Sequence, residues 1–258
     1  MKSDREHPIQ TWVRGFRPDP AAQLRLFCLP SAGGGAHAYQ PWKARLPSRI
    51  QLAPIALPGR ESRFREPLHT QATTLVAEMV GGLSSVLDVP FAFFGHSMGA
   101  LLAFEATRAL RRAGRRMPEA LLLSGYPGPR GARPGPRIHD LTPAAFHAAL
   151  IEHNGTPAAV LADPELLAVL EPVLRADMQI CETYAYVPEP PLGVPITVFG
   201  GQADPQVARS DLARWSAETS ARFAIVQLPG DHFYLIPQIE PLVQLVTEAL
   251  DQALAPLR

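Results

Sequence analysis

Long apolar runs are missing from this sequence. No stretch approaches the roughly 20 consecutive apolar residues that a membrane-spanning helix needs, so no membrane partner is expected. The N-terminal segment Met1 to His7 is charged, and no apolar core of a secretory signal follows it. A soluble, cytoplasmic protein is the expectation. Cysteine is scarce too: Cys28 and Cys181 are the only two. Neither has metal-ligand spacing around it, so no metal is expected. Cys28 lies inside the apolar run Leu24 to Leu29 and reads as a buried free thiol. An excess of one charge is also lacking, with 24 Lys plus Arg against 24 Asp plus Glu. Phosphate binding needs a basic surface, so nucleic acid is excluded as the main partner. There are no internal repeats or extended low-complexity tracts, and nothing demands more than a monomer.

What is present is enough apolar residue, 47% of 258 positions, for one α/β domain or a core with a small insertion. Short runs read as strands: Leu24 to Leu29, Gln51 to Leu57, Phe91 to Phe94, Ala120 to Ser124, Pro195 to Phe199 and Phe223 to Leu228. They are nearly continuous in apolar character, as parallel strands covered on both faces should be. Pro54 marks the second as an edge strand or an irregular one. Helical spacing fills Ala72 to Leu87, Gly99 to Ala113 and Ile239 to Leu254. The alternation predicts a doubly wound, mostly parallel sheet.

One stretch breaks the rhythm. Ile138 to Tyr186 carries no strand, only helical pattern over Pro143 to His153 and Pro164 to Tyr184. Asp140 or Thr142 could cap the first of these helices and Asp163 the second. The expected organisation is a core of residues 1–137 and 187–258 with a helical lid of residues 138–186. The Pro- and Gly-rich segment Tyr126 to Pro136 would lead into it. Leu161, Leu166, Leu170 and Met178 read as packing within the lid.

The strongest local signal is Gly95-His96-Ser97-Met98-Gly99, directly after an apolar strand and before a helix. A serine on so tight a turn sits in strained backbone, and only glycine fits at positions 95 and 99. The turn would push the serine oxygen out of the sheet, where the helix N-terminus favours developing negative charge. A serine hydroxyl needs a base and an orienting acid. His232, after the sixth strand, is the expected base. Of the other histidines, His96 lies in the turn itself and His37 and His69 precede the serine. His139, His147 and His153 fall in or near the lid, and His7 in the tail. Asp204, after the fifth strand, is the candidate acid; its competing role is to cap a helix starting near Gln206. Asp231 and Asp211 are its rivals. Two backbone N–H groups should receive the oxyanion. Met98 offers one, and Ala32, in the glycine-rich loop Ser31 to Gly35, the other. That loop lacks the spacing of a dinucleotide or P-loop phosphate cradle.

Taken together, Leu29-Pro-Ser-Ala-Gly-Gly-Gly-Ala36, Leu57-Pro-Gly-Arg60-Glu-Ser-Arg63, Gly95-His-Ser-Met-Gly99, Gly155-Thr-Pro157, Arg175-Ala-Asp177 and Gly230-Asp-His-Phe233 resemble the type II thioesterases of polyketide and nonribosomal peptide synthesis. The resemblance runs from about residue 12 to the C-terminus. It implies an α/β-hydrolase fold and a stand-alone enzyme that removes acyl groups from the phosphopantetheine arm of acyl or peptidyl carrier domains. It implies Ser97 as nucleophile, Asp204 as acid, His232 as base, Met98 and Ala32 as oxyanion donors, and no bound cofactor, the phosphopantetheine arriving with the substrate. Ser31 departs from the family, which often has histidine there. Arg60 and Arg63 admit two readings, phosphate anchors or structural arginines bonding loop carbonyls; the structural one is favoured for Arg60. Rival readings are a carboxylester hydrolase, an acyltransferase of the same fold, or a binding module that keeps the pocket.

Overall fold

The computed structural model describes residues 8–130, 137–152 and 162–255. Six parallel strands form one sheet: β1 (Leu24–Leu29), β2 (Ile50–Pro54), β3 (Phe91–His96), β4 (Leu121–Ser124), β5 (Ile196–Gly201) and β6 (Phe223–Leu228). Their order is β2-β1-β3-β4-β5-β6. The helices are α1 (Pro8–Trp12), α2 (Ala72–Leu83), α3 (Met98–Arg112), α4 (Pro143–Glu152), α5 (Pro164–Thr183), α6 (Arg209–Ala213) and α7 (Ile239–Leu254). The expected α/β class is borne out, with every strand pair parallel.

The continuous apolar strands have a direct cause: both faces of the sheet are covered. Phe27, Leu29, Phe91 and Phe93 pack on one face with Leu75 and Met79 of α2 and Leu101 of α3. Leu26, Cys28, Ala92 and Phe94 pack on the other with Tyr39, Trp42 and Leu242 and Val246 of α7. Successive strand residues alternate between these two cores, as the two-residue period of a strand requires. Cys28 is a free, buried thiol, and burial pushes its pKa well up.

Several boundaries differ from expectation, three of them by three residues or more. β2 stops at Pro54, not Leu57: it is one of the two edge strands, and after Ile55 N–H reaches Cys28 O the chain turns so that Ala56 N–H bonds Trp12 O. The helix expected over Ala72 to Leu87 ends as an α-helix at Leu83 and tightens into a single 3₁₀ turn, Ser84–Val86. No helix begins near Gln206; α6 starts at Arg209.

Helices α4 and α5 build a small core of their own from Ile138, Phe146, Leu150, Leu167 and Leu174. Asp163 caps α5, accepting the N–H groups of Glu165 and Leu166. Leu170 and Met178 pack against this core, but Leu166 does not; it is exposed, as are Ile151 and Val169. Leu161, His153 and the Gly155-Thr-Pro157 motif lie outside the described residues, as do His7 and residues 131–136 of the connecting segment. No helix among the described residues is long and apolar enough to cross a membrane.

The strand order places the chemistry. From β1 the chain steps outward to β2, then crosses back to β3 on the other side. The loops after β1 and β3 therefore part at the carboxyl edge, where open α/β sheets bind ligands.

Candidate active site

Ser97 stands alone between the end of β3 and the start of α3, at φ 54° and ψ −121°. A non-glycine residue there is strained by roughly 1–3 kcal/mol. The surroundings hold it: Ser97 N–H donates to Ser124 O at 2.7 Å, and Ala100 N–H donates to Ser97 O at 2.8 Å. The flanking glycines answer to backbone, not side chains. A Cβ on Gly95 would lie 2.1 Å from Gly99 O, and one on Gly99 would lie 2.2 Å from Leu29 O. The loop after β1 thus runs against the first turn of α3, with Leu29 and Pro30 backbone packed on Gly99.

His232 follows β6 and is buried, as is Asp204 after β5. Their side chains are 5% and 0% exposed, and His232 Nδ1 lies 2.8 Å from Asp204 Oδ2. An ionised carboxylate only accepts, so the proton of this bond belongs on Nδ1 and Nε2 keeps its lone pair. Asp204 caps no helix, but its Oδ1 closes the turn after β5, accepting Gln206 N–H at 2.8 Å and Val207 N–H at 3.3 Å. One carboxylate serves both ends because its two oxygens face different ways. The rivals are occupied elsewhere. Asp231 Oδ1 accepts Phe233 N–H, and Asp211 Oδ2 accepts Ala208 N–H. The loops after β5 and β6 meet backbone to backbone, since a Cβ on Gly201 would lie 2.2 Å from Asp231 O.

A buried polar chain that the sequence did not announce lies beside this pair. His96 Nδ1 bonds Ser124 Oγ at 2.8 Å, and Ser124 Oγ bonds Tyr234 OH at 2.6 Å. The His96 ring lies 5.0 Å from that of His232. Its Nε2 is buried and unbonded. Burial, with His232 as second cause, holds its pKa well below the usual value of 6.5.

That depression has a sign. Between pH 6.5 and the depressed value the unfolded chain binds a proton at His96 that the folded chain refuses. This contribution leaves stability unchanged above pH 6.5 and lowers it as the pH falls below, by about 1.4 kcal/mol per pH unit. Thermal melts from pH 7.5 to 5 should show a steeper loss for the natural protein than for His96→Asn. Parallel curves would remove His96 as the cause.

The other sequence candidates separate clearly. Arg60 and Arg63 are both buried. Arg60 forks onto Asp177 at 2.6 and 2.8 Å. Arg63 bonds Glu66 and Ala56 O and covers the Trp12 ring at 4.2 Å. Both guanidinium groups are engaged inside the protein, which is the structural role. His139 and His147 are tied to Glu182 and Glu171. Among the described residues no group of His, Cys, Asp and Glu could hold a metal ion. Sequence reasoning missed Ser124 and Tyr234, and it named Asp177 without its partner. No local pattern marks them, because a polar residue at a strand end or in a helix carries no sign of a distant contact.

The thioesterase domain family model matches residues 24–250. Linear gramicidin dehydrogenase LgrE of Brevibacillus parabrevis is 39% identical over 250 residues, covering 96% of this chain and 95% of the relative. Gramicidin S biosynthesis protein GrsT of Aneurinibacillus migulanus is 37% identical over 248 residues, covering 96% and 97%. The structure of BorB, a type II thioesterase from the borrelidin biosynthetic cluster, superposes with a TM-score of 0.84 at 36% identity, covering 93% of this chain and 98% of that one.

Proposed function

The chain belongs to the thioesterase domain family, and from that premise we propose that it is a stand-alone type II thioesterase that clears acyl groups from the phosphopantetheine arms of acyl or peptidyl carrier domains in polyketide or nonribosomal peptide assembly. The observation that carries the mechanism is the buried Asp204–His232 bond of 2.8 Å behind a serine on a strained strand-to-helix turn.

In this reading His232 Nε2 takes the Ser97 proton as Oγ attacks the thioester carbonyl. The tetrahedral oxyanion rests on the Met98 and Ala32 N–H groups. The C–S bond breaks, the thiolate leaves on the carrier arm and takes the proton back from His232. Water, deprotonated by His232, then attacks the acyl-serine; the acid departs and Ser97 regains its proton. No resident cofactor is required. LgrE is named a dehydrogenase, but the loop after β1 here lacks the glycine spacing of a dinucleotide cradle.

The test uses purified protein, an acetyl-loaded holo carrier domain, free acetyl-CoA and a nitrophenyl ester, with acetyl loss followed by mass spectrometry. Carrier deacylation should exceed both small substrates in kcat/KM. Fast ester cleavage with an untouched carrier would leave an esterase in its place. Acyl transfer to an added amine or alcohol in preference to water would make it an acyltransferase.

A further inference from the structure

The Ser31–Gly35 loop is pinned peptide by peptide. Gly34 N–H donates to Ser31 O at 2.9 Å, closing a turn whose third residue, Gly33, has φ 70°, as a type II turn requires. The Ser31 carbonyl and the Ala32 N–H belong to one planar peptide and point oppositely, so this bond sets where the Ala32 N–H aims. The next peptide is held from α5, with Gly33 N–H donating to Asp177 Oδ2 at 2.8 Å. The Gly34–Gly35 peptide, two further on, is held from the loop following β2, with Arg60 Nη1 donating to Gly34 O at 3.1 Å. Beyond it, Ala36 and His37 N–H groups both donate to the Glu61 carboxylate at 3.0 Å.

Arg60 and Asp177 also bind one another through two bonds, and they are 7% and 1% exposed. One turn earlier on α5, Leu174 sits over Gly33 so closely that a Cβ there would lie 2.4 Å from Leu174 Cδ2. Stability alone does not account for such a pair, since a buried ion pair often only breaks even with apolar residues of similar volume. What apolar residues could not do is bond the Gly33 N–H and the Gly34 carbonyl.

We propose that Asp177 and Arg60 are positioning residues for acyl transfer. They hold the Ser31–Gly35 loop so that the Ala32 N–H meets the oxyanion, and they make that geometry depend on α5 being seated. The proposal rests on the reading of Ala32 as an oxyanion donor and Ser97 as nucleophile.

Two variants separate positioning from folding. Asp177→Asn keeps an acceptor for Gly33 but leaves the buried Arg60 charge uncompensated. The double variant Arg60→Met/Asp177→Leu removes both charges and the clamp together. The expected ranks cross. In melting temperature the double variant should match or exceed Asp177→Asn; in kcat it should fall below it, by about 10²-fold from the natural protein as for a misplaced catalytic group, with KM within about threefold. Affinity for an acyl-pantetheine trifluoromethyl ketone, which forms a tetrahedral adduct on serine, should fall by the same factor as kcat. Should the double variant not fold, Asp177→Asn decides: a kcat loss of about tenfold matched by the ketone, at unchanged KM, supports the clamp. A kcat that follows melting temperature across the set, a loss confined to KM, or unchanged kcat overturns it. A fluorophosphonate probe on the natural protein distinguishes the two failures. No label at Ser97 overturns the nucleophile reading and the clamp with it; a labelled Ser97 with kcat following stability overturns the clamp alone.

Discussion

Replacing Ser97 with alanine is expected to lower acyl release from a loaded carrier by on the order of 10⁴-fold or more, as loss of a triad nucleophile does in other serine hydrolases. The fold should survive, because Ser97 is held through its backbone bonds to Ser124 and Ala100, which alanine retains. Asp204→Asn should also cost on the order of 10⁴-fold. The amide keeps an oxygen for the Gln206 and Val207 N–H groups but turns an NH₂ toward His232 Nδ1. That forces the ring into the tautomer with its proton on Nε2, where it cannot accept from serine. Ser97→Gly should be as inactive as the alanine variant yet melt higher, since glycine relieves the positive φ. Single-turnover mass spectrometry with calorimetry reads both quantities. An alanine variant within tenfold of the natural rate would remove Ser97 from the nucleophile role.

A large loss of stability should come from Gly99→Ala. Its Cβ would lie 2.2 Å from Leu29 O and 2.7 Å from both Leu29 C and Pro30 O, all backbone. No rotamer change relieves a clash with main chain, so the start of α3 and the loop after β1 must separate. A cost of about 4 kcal/mol or more places this variant in the exceptional class, and for a chain of this size it lowers the melting temperature by roughly 8–16 °C. The opposite sign is expected at Gly81, inside α2. An added Cβ there meets nothing within 4 Å, so Gly81→Ala should stabilise by about 0.5–1 kcal/mol. Thermal melts of the two variants side by side check both signs. A Gly99→Ala protein melting within 2–3 °C of the natural one, about 1 kcal/mol on this scale, would show that the clash is absorbed.

The strands were legible because their signal is local. Leu24 to Leu29 and Phe223 to Leu228 fill their predicted spans end to end, since each is a short, mostly apolar run whose sequence neighbours change character at both ends. Ends set by distant partners were not legible. β2 stops where Trp12 O takes the Ala56 N–H, a contact that no window around Pro54 contains. Leu166 was misread as packing because periodicity states that a helix has an apolar stripe, not how wide the neighbouring core is.

The candidate site divides in the same way. The strand-to-helix serine turn and the chain order of acid and histidine are properties of short segments at the carboxyl ends of strands, so the sequence alone determined the fold class and the candidate residues. Which aspartate faces His232, and which of its oxygens does so, only the tertiary structure decided. It alone also decided that Arg60 answers to Asp177, 117 positions away, and Asp177 to Gly33, 144 positions away. Hydrogen bonds and ion pairs depend on distances of a few ångströms between atoms that the chain brings together only on folding, and residue type by itself carries no record of the partner.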